Sequence, residues 1–230
     1  MPSSDYQAKS AYRGDVAVRY DQDRKTEPLW EIEQAFVADL ITRLPAGATV
    51  MDIPAGTGRF VGMLLAQGVS VQALDISADM LAELRRQYPT ETRLQVAVGD
   101  AERLEAADSS IDCIISWRFF HLLPLATIDR VLGEFRRVCR GRMIIQVLPA
   151  RTGGLATRLP SAVKAVLRPV RRFLRPAAKT PWSHIPSFIH AERDLLRLFA
   201  RHRLKVADAA TLATYQGLPV RVYTLERDGA

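Results

Sequence analysis

The sequence has few cysteines, no long apolar run and no pattern of a secretory signal at its start. Only two of its 230 residues are cysteines, too few for a disulfide framework. One of them, Cys113, lies inside an apolar run, so we interpret it as a buried thiol. No apolar run approaches the ~20 residues that cross a bilayer, and the opening MPSSDYQAKSAYRGD contains no apolar core of a secretory signal. The sequence therefore predicts a cytoplasmic protein, with any membrane contact limited to the inner surface.

Acidic residues are missing from Phe135 to Ala191, a stretch that holds twelve of the 32 Lys and Arg residues. The remainder of the chain holds 20 basic and 25 acidic residues, so the net charge of +7 arises from one segment. A charge excess confined in this way does not by itself indicate a nucleic-acid-binding surface.

Strand-like and helix-like patterns alternate between about residues 28 and 150. Short apolar runs predict five buried strands: ATVMDI, SVQALDI, RLQVAVG, IDCIISW and RMIIQVL. The tail differs, because a helix over AERDLLRLFARHR precedes two further strands. The pattern predicts one α/β domain over residues 1–230, with a doubly wound, mostly parallel seven-stranded sheet and an antiparallel last strand.

Amphipathic patterns place helices between these strands. The first helix begins at Pro28, and the second follows the first strand and ends at Gly68. Ser77 is positioned to cap the third, and the fourth runs roughly from Leu125 to Arg140. The apolar face of the first helix consists of Leu29, Ile32, Phe36, Val37, Leu40 and Leu44.

The stretch VMDIPAGTGRF, residues 50–60, joins the first strand to the second helix through a glycine-rich turn. A phosphate-binding P-loop would end in Gly-Lys-Ser/Thr, but this loop ends in Gly-Arg-Phe. A dinucleotide fingerprint counted from Gly56 would need its third glycine where Val61 stands. The loop therefore fits neither phosphate-binding pattern well.

The same loop resembles the first motif of class I S-adenosylmethionine-dependent methyltransferases, Val-Leu-Asp-x-Gly-x-Gly-Thr-Gly. The resemblance implies a Rossmann-like methyltransferase fold with S-adenosylmethionine as the cofactor. Gly56 and Gly58 would let the backbone approach the ligand, and Asp52 would accept a hydrogen bond from its ammonium. Pro54 departs from the motif, but a turn entered from an extended residue tolerates its missing N–H group and restricted φ. The loop residues implied to hold the cofactor are Asp52, Pro54, Ala55, Gly56, Thr57 and Gly58.

Three further strand ends fit the same cofactor. Asp75 ends the second strand, where an acid suits the two ribose hydroxyls. Asp100 follows the third strand, where the family places an acid beside the adenine amino group. The resemblance covers about residues 30–150. The residues implied at these strand ends are Asp75, Ile76, Met80, Asp100, Ala101, Ser116 and Trp117.

Candidate catalytic groups lie near these positions. His121 follows the fourth strand and is suited to act as a general base, although a histidine there also fits packing against or capping the next helix. Related small-molecule methyltransferases use an N-terminal segment, here residues 1–27, as a lid with tyrosines near the methyl group. Tyr12 and Tyr20 are the candidates in this segment. From Cys113 to Ile128 there is no Asp or Glu, so we predict no catalytic metal.

Residues 151–187 interrupt the alternation and contain five prolines. Within them, residues 159–175 carry an apolar stripe and a basic stripe at helical spacing. Three uses fit such a segment: a lid over the substrate pocket, peripheral contact with an anionic membrane, or contact with an RNA backbone. The segment has few aromatic residues for base stacking, so RNA is the weakest of the three.

These features predict methyl transfer to a small or amphiphilic molecule, with oxygen as the first choice of acceptor atom. The alternatives are C-methylation of a quinone-like ring, tRNA methylation, and a cofactor-binding regulator without turnover. The family members that methylate exposed amides or adenine amino groups carry Asn/Asp-Pro-Pro-aromatic after the fourth strand. The sequence at that point is Ser-Trp-Arg-Phe, residues 116–119, which argues against them.

Overall fold

The structure is a computed structural model that describes residue 12 and residues 14–27, 29–149, 188–215 and 217–229. The predicted insertion at 151–187, with its amphipathic stretch 159–175, lies outside the described residues. The strands are β1 (Thr49–Asp52), β2 (Ser70–Asp75), β3 (Leu94–Val98), β4 (Ile111–Ser116), β5 (Cys139–Val147), β6 (Leu204–Tyr215) and β7 (Leu218–Arg227). The α-helices are α1 (Asp15–Lys25), α2 (Trp30–Ile41), α3 (Val61–Ala66), α4 (Ala78–Gln87), α5 (Leu125–Val138) and α6 (Glu192–Arg201).

All seven strands form one sheet in the order β3-β2-β1-β4-β5-β7-β6. The first five strands pair in parallel, and β7 runs antiparallel to both β5 and β6. This arrangement confirms the predicted fold class, a doubly wound, mostly parallel α/β sheet with an antiparallel last strand.

The strand order reverses between β1 and β4, and this point positions the site. Asp52, the last residue of β1, pairs with Ala73 of β2 on one side and with Ile115 of β4 on the other. Asp75 and Ser116 end the two flanking strands, so their side chains lie at the same edge of the sheet. A crevice outside the carboxyl ends of the strands at such a reversal is the usual ligand site of open α/β sheets.

Apolar side chains cover both faces of the sheet. One core cluster includes Leu64 and Leu81, and the other includes Phe135 and Phe199. Cys113 lies in the first of these clusters, and burial raises the pKa of its thiol, which confirms the interpretation as a buried cysteine. None of the described helices is both long and apolar enough to cross a membrane.

Three local features differ from the sequence prediction. Helix α1 was not predicted, because its sequence DVAVRYDQDRK has no apolar stripe. In α2 the predicted apolar face is wrong at one position: Ile32 is 45% exposed, whereas Glu33 is only 1% exposed. Helix α5 ends at Val138, before the predicted Arg140, because the backbone becomes extended at Cys139 to start β5.

Candidate functional site

The loop after β1 is anchored to the neighbouring strand. The Ala55 N–H group donates to the Leu74 carbonyl oxygen at 2.8 Å. The peptide bond between Ile53 and Pro54 is cis. The hydrogen bond of Ala55 attaches the turn to β2, although Pro54 departs from the methyltransferase motif.

Two glycines let this loop lie close to its surroundings. Gly56 has φ of 56° and Gly58 has φ of 87°, a left-handed region that favours glycine. A Cβ atom on Gly58 would lie 2.2 Å from Leu84 Cδ1, and one on Gly56 would lie 3.3 Å from Met80 Cε. Larger residues would thus disturb both the backbone and the contact between the loop and α4.

Asp75 ties the end of β2 to the loop. Its Oδ2 accepts a hydrogen bond from the Gly56 N–H group at 2.9 Å, and its Oδ1 accepts one from the Ser77 N–H group at 2.8 Å. Burial raises the pKa of Asp75, although these backbone hydrogen bonds oppose the rise. The ribose role of Asp75 stays a prediction, and its contact with Gly56 shows a second role in shaping the loop.

Asp52 is a buried acid with an unsatisfied oxygen. Its side chain is 2% exposed, and Oδ2 has no hydrogen-bond partner. Burial, followed by repulsion from Asp75, raises the pKa of Asp52 to about 8, and the nearby charge of Arg59 opposes this rise. An acid in this state is suited to receive a cationic ligand, because a positive charge would compensate for its lost hydration.

One open cavity with about 800 Å³ of empty space, mouth included, gathers most of the predicted cofactor residues. The predicted residues that line it are Tyr20, Asp52, Pro54, Ala55, Gly56, Thr57, Asp75, Ile76, Met80 and Trp117. The convergence of residues from three strand ends and from the N-terminal segment is what the cofactor prediction requires.

Five predicted positions lie outside this cavity wall. Gly58 packs close to Leu84 of α4, and Ala101 and Ser116 are buried. Asp100 lines an adjacent groove, which shares Ile76 with the cavity. An adenine role for Asp100 therefore stays a prediction about the junction between the groove and the cavity.

His121, the fifth of these positions, lies in a short 3-10 turn, Phe120–Leu122, after β4. Its Nδ1 is buried and has no hydrogen-bond partner. Burial, with the charges of Arg24 and Arg118, lowers its pKa to about 3. A histidine with so low a pKa is a weak base. The low pKa and the buried Nδ1 favour the packing role, and catalysis by His121 stays a prediction.

A buried ionic network beside the cavity was missed by the sequence analysis. Glu33 of α2 accepts hydrogen bonds from Arg59 at 2.7 Å, from Arg118 at 2.7 Å and from Gln146 at 2.6 Å. Arg118 also pairs with Glu27 at 2.5 Å. A signal for its burial was present in the sequence, because Glu33 stands four residues after Leu29 and four before Val37, on the apolar face predicted for this helix.

The charges of this network stabilise one another. Burial alone would raise the pKa of Glu33, but Arg118 and Arg59 outweigh burial and hold that pKa below its usual value. Burial likewise disfavours the charged form of Arg118, whereas Glu33 and Glu27 raise its pKa. Arg118 has a φ of 52°, unusual for a non-glycine residue, and its N–H group donates to Gln146 Oε1 at 2.9 Å. The network thus holds a strained backbone in place.

Described residues of the N-terminal segment line one side of the cavity. Tyr12 and Tyr20 both line it, with their rings edge to face and centroids 5.7 Å apart. The Ser77 hydroxyl donates to the Tyr12 carbonyl oxygen, and the Gly14 N–H group donates to Asp79 Oδ2 at 2.8 Å. Burial raises the pKa of the Tyr12 hydroxyl. These contacts fit the predicted lid, whose function stays a prediction.

The residues of the cavity fit S-adenosylmethionine. The unsatisfied oxygen of Asp52 suits an ammonium group, and a Cβ atom on Gly56 would crowd Met80, which also lines the cavity. The cofactor has no phosphate, which agrees with the lack of a lysine in the loop. Within the described part of the chain, no group of three or more His, Cys, Asp or Glu residues is arranged to hold a metal ion.

The sequence of the domain matches a known family. Residues 50–141 match the family model described as a methyltransferase domain. Together with the strand order and the cavity, this match confirms the resemblance to the class I S-adenosylmethionine-dependent methyltransferases and the cofactor that the resemblance implies.

The names of similar proteins refer to different acceptor molecules. The chain is 36% identical over 129 residues to malonyl-[acyl-carrier protein] O-methyltransferase of Methylococcus capsulatus, an alignment that covers 55% of this chain and 46% of the relative. It is 34% identical over 139 residues to demethylmenaquinone methyltransferase of Beutenbergia cavernae, covering 57% of this chain and 54% of the relative. The chain thus spans about half the length of the curated relatives it matches.

Solved structures support the fold over most of the chain. Magnesium protoporphyrin IX methyltransferase from Synechocystis, crystallised with bound SAH, has a TM-score of 0.71 at 14% identity and covers 96% of this chain and 98% of its own. At this identity the likeness establishes the fold alone.

Proposed function

We propose that this protein transfers the methyl group of S-adenosylmethionine to an oxygen atom of a small or amphiphilic molecule, and that this oxygen belongs to a carboxylate. The sulfonium of the bound cofactor supplies an electrophilic methyl group, so the chain mainly has to orient the acceptor and exclude water. The observation that carries the proposal is the cavity wall. Arg24, Arg59 and Arg118 line it, and no histidine or cysteine is among the described residues that do.

The charge distribution suits an anionic acceptor. These three arginines line the cavity, whereas their carboxylate partners, Glu27 and Glu33, are not among the lining residues. A carboxylate is already ionised at neutral pH and needs no general base. The low pKa of His121 is compatible with such an acceptor.

Aromatic side chains also line the cavity. The rings of Phe60 and Trp117 lie edge to face with centroids 5.6 Å apart, and Trp30, Phe119 and Tyr20 line the same cavity. Such a wall excludes water around the transferred methyl group and accommodates an apolar acceptor body. The Methylococcus capsulatus relative, named as a malonyl-[acyl-carrier protein] O-methyltransferase, supports the proposal.

C-methylation of a quinone-like ring is the second candidate. It is supported by the demethylmenaquinone methyltransferase relative and by the aromatic rings of the cavity, which could stack on a planar acceptor. A ring of this kind does not require the arginines at the cavity wall, so we rank it second.

The test measures transfer of a radiolabelled methyl group by the full chain to matched acceptors. These are a malonyl thioester, the corresponding amide, a demethylated naphthoquinone and unfractionated tRNA. We expect a base-labile methyl ester on the thioester acid and no product on its amide. Transfer to the quinone alone would favour C-methylation, and transfer to tRNA alone would overturn the small-molecule assignment. Binding of S-adenosylhomocysteine with no transfer to any acceptor would favour a regulator.

A further inference from the structure

Asp52 and Arg59 face the same cavity without pairing. Asp52 Oδ2 is buried and has no hydrogen-bond partner, although Arg59 lies close enough for its charge to act on the acid. A buried carboxylate beside a guanidinium normally pairs with it, because the pair offsets the loss of hydration. Something must therefore hold Arg59 elsewhere.

The guanidinium of Arg59 is occupied by the start of α2. Its Nη1 donates to Glu33 Oε2 at 2.7 Å, its Nε donates to Gln34 Oε1 at 3.1 Å, and its Nη2 donates to the Trp30 carbonyl oxygen at 2.8 Å. The same guanidinium stacks over the Trp30 ring, 3.8 Å from the ring centroid. Of these contacts, only the one with Glu33 pairs opposite charges.

Glu33 is itself fixed from several sides. It is 1% exposed, and its carboxylate also accepts hydrogen bonds from Arg118 and Gln146. These contacts bind α2 to the ends of β4 and β5, so Glu33 holds Arg59 from a rigid position.

We propose that Glu33 is a positioning residue that keeps Arg59 on α2 and away from Asp52, so that the Asp52 carboxylate stays available to the ammonium group of the cofactor. Without the charge of Glu33, Arg59 would turn to the unpaired carboxylate of Asp52. The ligand's ammonium would then have to displace a guanidinium. This inference rests on the cofactor class and is independent of the acceptor.

The test compares two ligands by calorimetry: S-adenosylhomocysteine, and 5′-methylthioadenosine, which lacks the amino-acid tail and its ammonium. In Glu33→Gln we expect S-adenosylhomocysteine to bind roughly tenfold to hundredfold more weakly, the range of one lost charge-assisted hydrogen bond. The affinity for 5′-methylthioadenosine should change by less than about twofold. Equal weakening of both ligands would indicate general damage to the cavity and would overturn the proposal.

A second substitution separates positioning from a loss of fold. In the double variant Glu33→Gln/Arg59→Gln the competing guanidinium is gone, so S-adenosylhomocysteine affinity should recover to within about threefold of the parent. A double variant as weak as Glu33→Gln refutes the inference. Gln34→Leu removes one contact to Arg59 without disturbing a buried charge, and it should weaken S-adenosylhomocysteine selectively by a few-fold even if Glu33→Gln does not fold. Asp39→Asn, on the exposed side of α2, is the matched control and should bind both ligands normally.

Failure of methyl transfer to every acceptor would overturn the proposed function, and these binding measurements would still decide the role of Glu33.

Discussion

The affinity of this protein for S-adenosylhomocysteine should rise about tenfold between pH 6 and pH 7. Asp52 has a pKa of about 8 in the free protein, so it carries a proton across this interval. A ligand ammonium that pairs with Asp52 requires the ionised carboxylate, and binding must therefore release that proton. Each pH unit below the pKa of Asp52 then costs about 1.4 kcal/mol of binding free energy, which is tenfold in affinity.

Few other groups at the site complicate this interval. The ligand's α-amino group belongs to a free amino acid and titrates well above pH 7, so it stays charged across this interval. His121, with its pKa of about 3, remains neutral throughout. Asp75 also has a raised pKa, which makes a variant at Asp52 the necessary comparison.

The assay is isothermal calorimetry in two buffers that differ in ionisation enthalpy. At pH 7 the difference between the buffers should correspond to the release of nearly one proton per ligand bound. Asp52→Asn should bind more weakly at pH 7 and should lose both the proton release and the pH slope. An unchanged slope in Asp52→Asn would refute the role of this acid in binding the ammonium.

The same substitution has a consequence for stability. The folded-state pKa of Asp52 lies above its ordinary value of 3.8, so its favourable contribution is complete below that value and is lost as the pH rises through about 8. The shift corresponds to at most about 5–6 kcal/mol. Without ligand, Asp52→Asn should therefore unfold at a higher temperature than the parent protein at pH 8, with a smaller difference at pH 5.

Three further predictions concern Asp75 at the end of β2, Gly58 in the loop and His121 after β4. Asp75→Ala should weaken S-adenosylhomocysteine binding at least tenfold in calorimetry, because the Gly56 N–H group loses its acceptor and the ribose its predicted partner; unchanged affinity would show that the ribose assignment is wrong. Gly58→Ala should lower the free energy of unfolding, measured in urea, by about 3 kcal/mol, because the new Cβ atom would overpack on Leu84 and strain a left-handed backbone. A loss below about 1 kcal/mol would contradict the contact with Leu84. His121→Asn should retain kcat within about fivefold on a carboxylate acceptor, whereas a loss of a hundredfold or more would restore His121 as the general base.

The loop and the acids at the strand ends could be predicted from sequence because their placement is a local matter. A buried parallel strand ends at a definite residue, and neighbouring parallel strands end at the same edge of the sheet. Asp52 and Asp75 therefore had to converge once β1 and β2 were recognised. The hydrogen bond between Asp75 and Gly56 was not predicted, because it depends on how the loop folds back over β2.

For Glu33 the sequence indicates burial but not partners. By helical periodicity Glu33 lies on the apolar face of α2, between Leu29 and Val37, but nothing nearby in sequence indicates which cations it meets. The sequence around Arg118 likewise does not indicate a buried partner. The structure shows a buried ion pair with Glu33, formed between residues 85 positions apart.

The sequence alone determined the fold class and the chemical identity of the cofactor loop, because both follow from short-range patterns of apolar residues, glycines and acids. Only the tertiary structure decided which charges are paired. Asp52 is left with an unpaired oxygen while Glu33 binds Arg59 from 26 positions away. The physical reason is that ion pairing is selected by distance in the folded state. Hydrophobic periodicity can place a polar side chain on a buried helix face, but it does not show which charge that side chain meets.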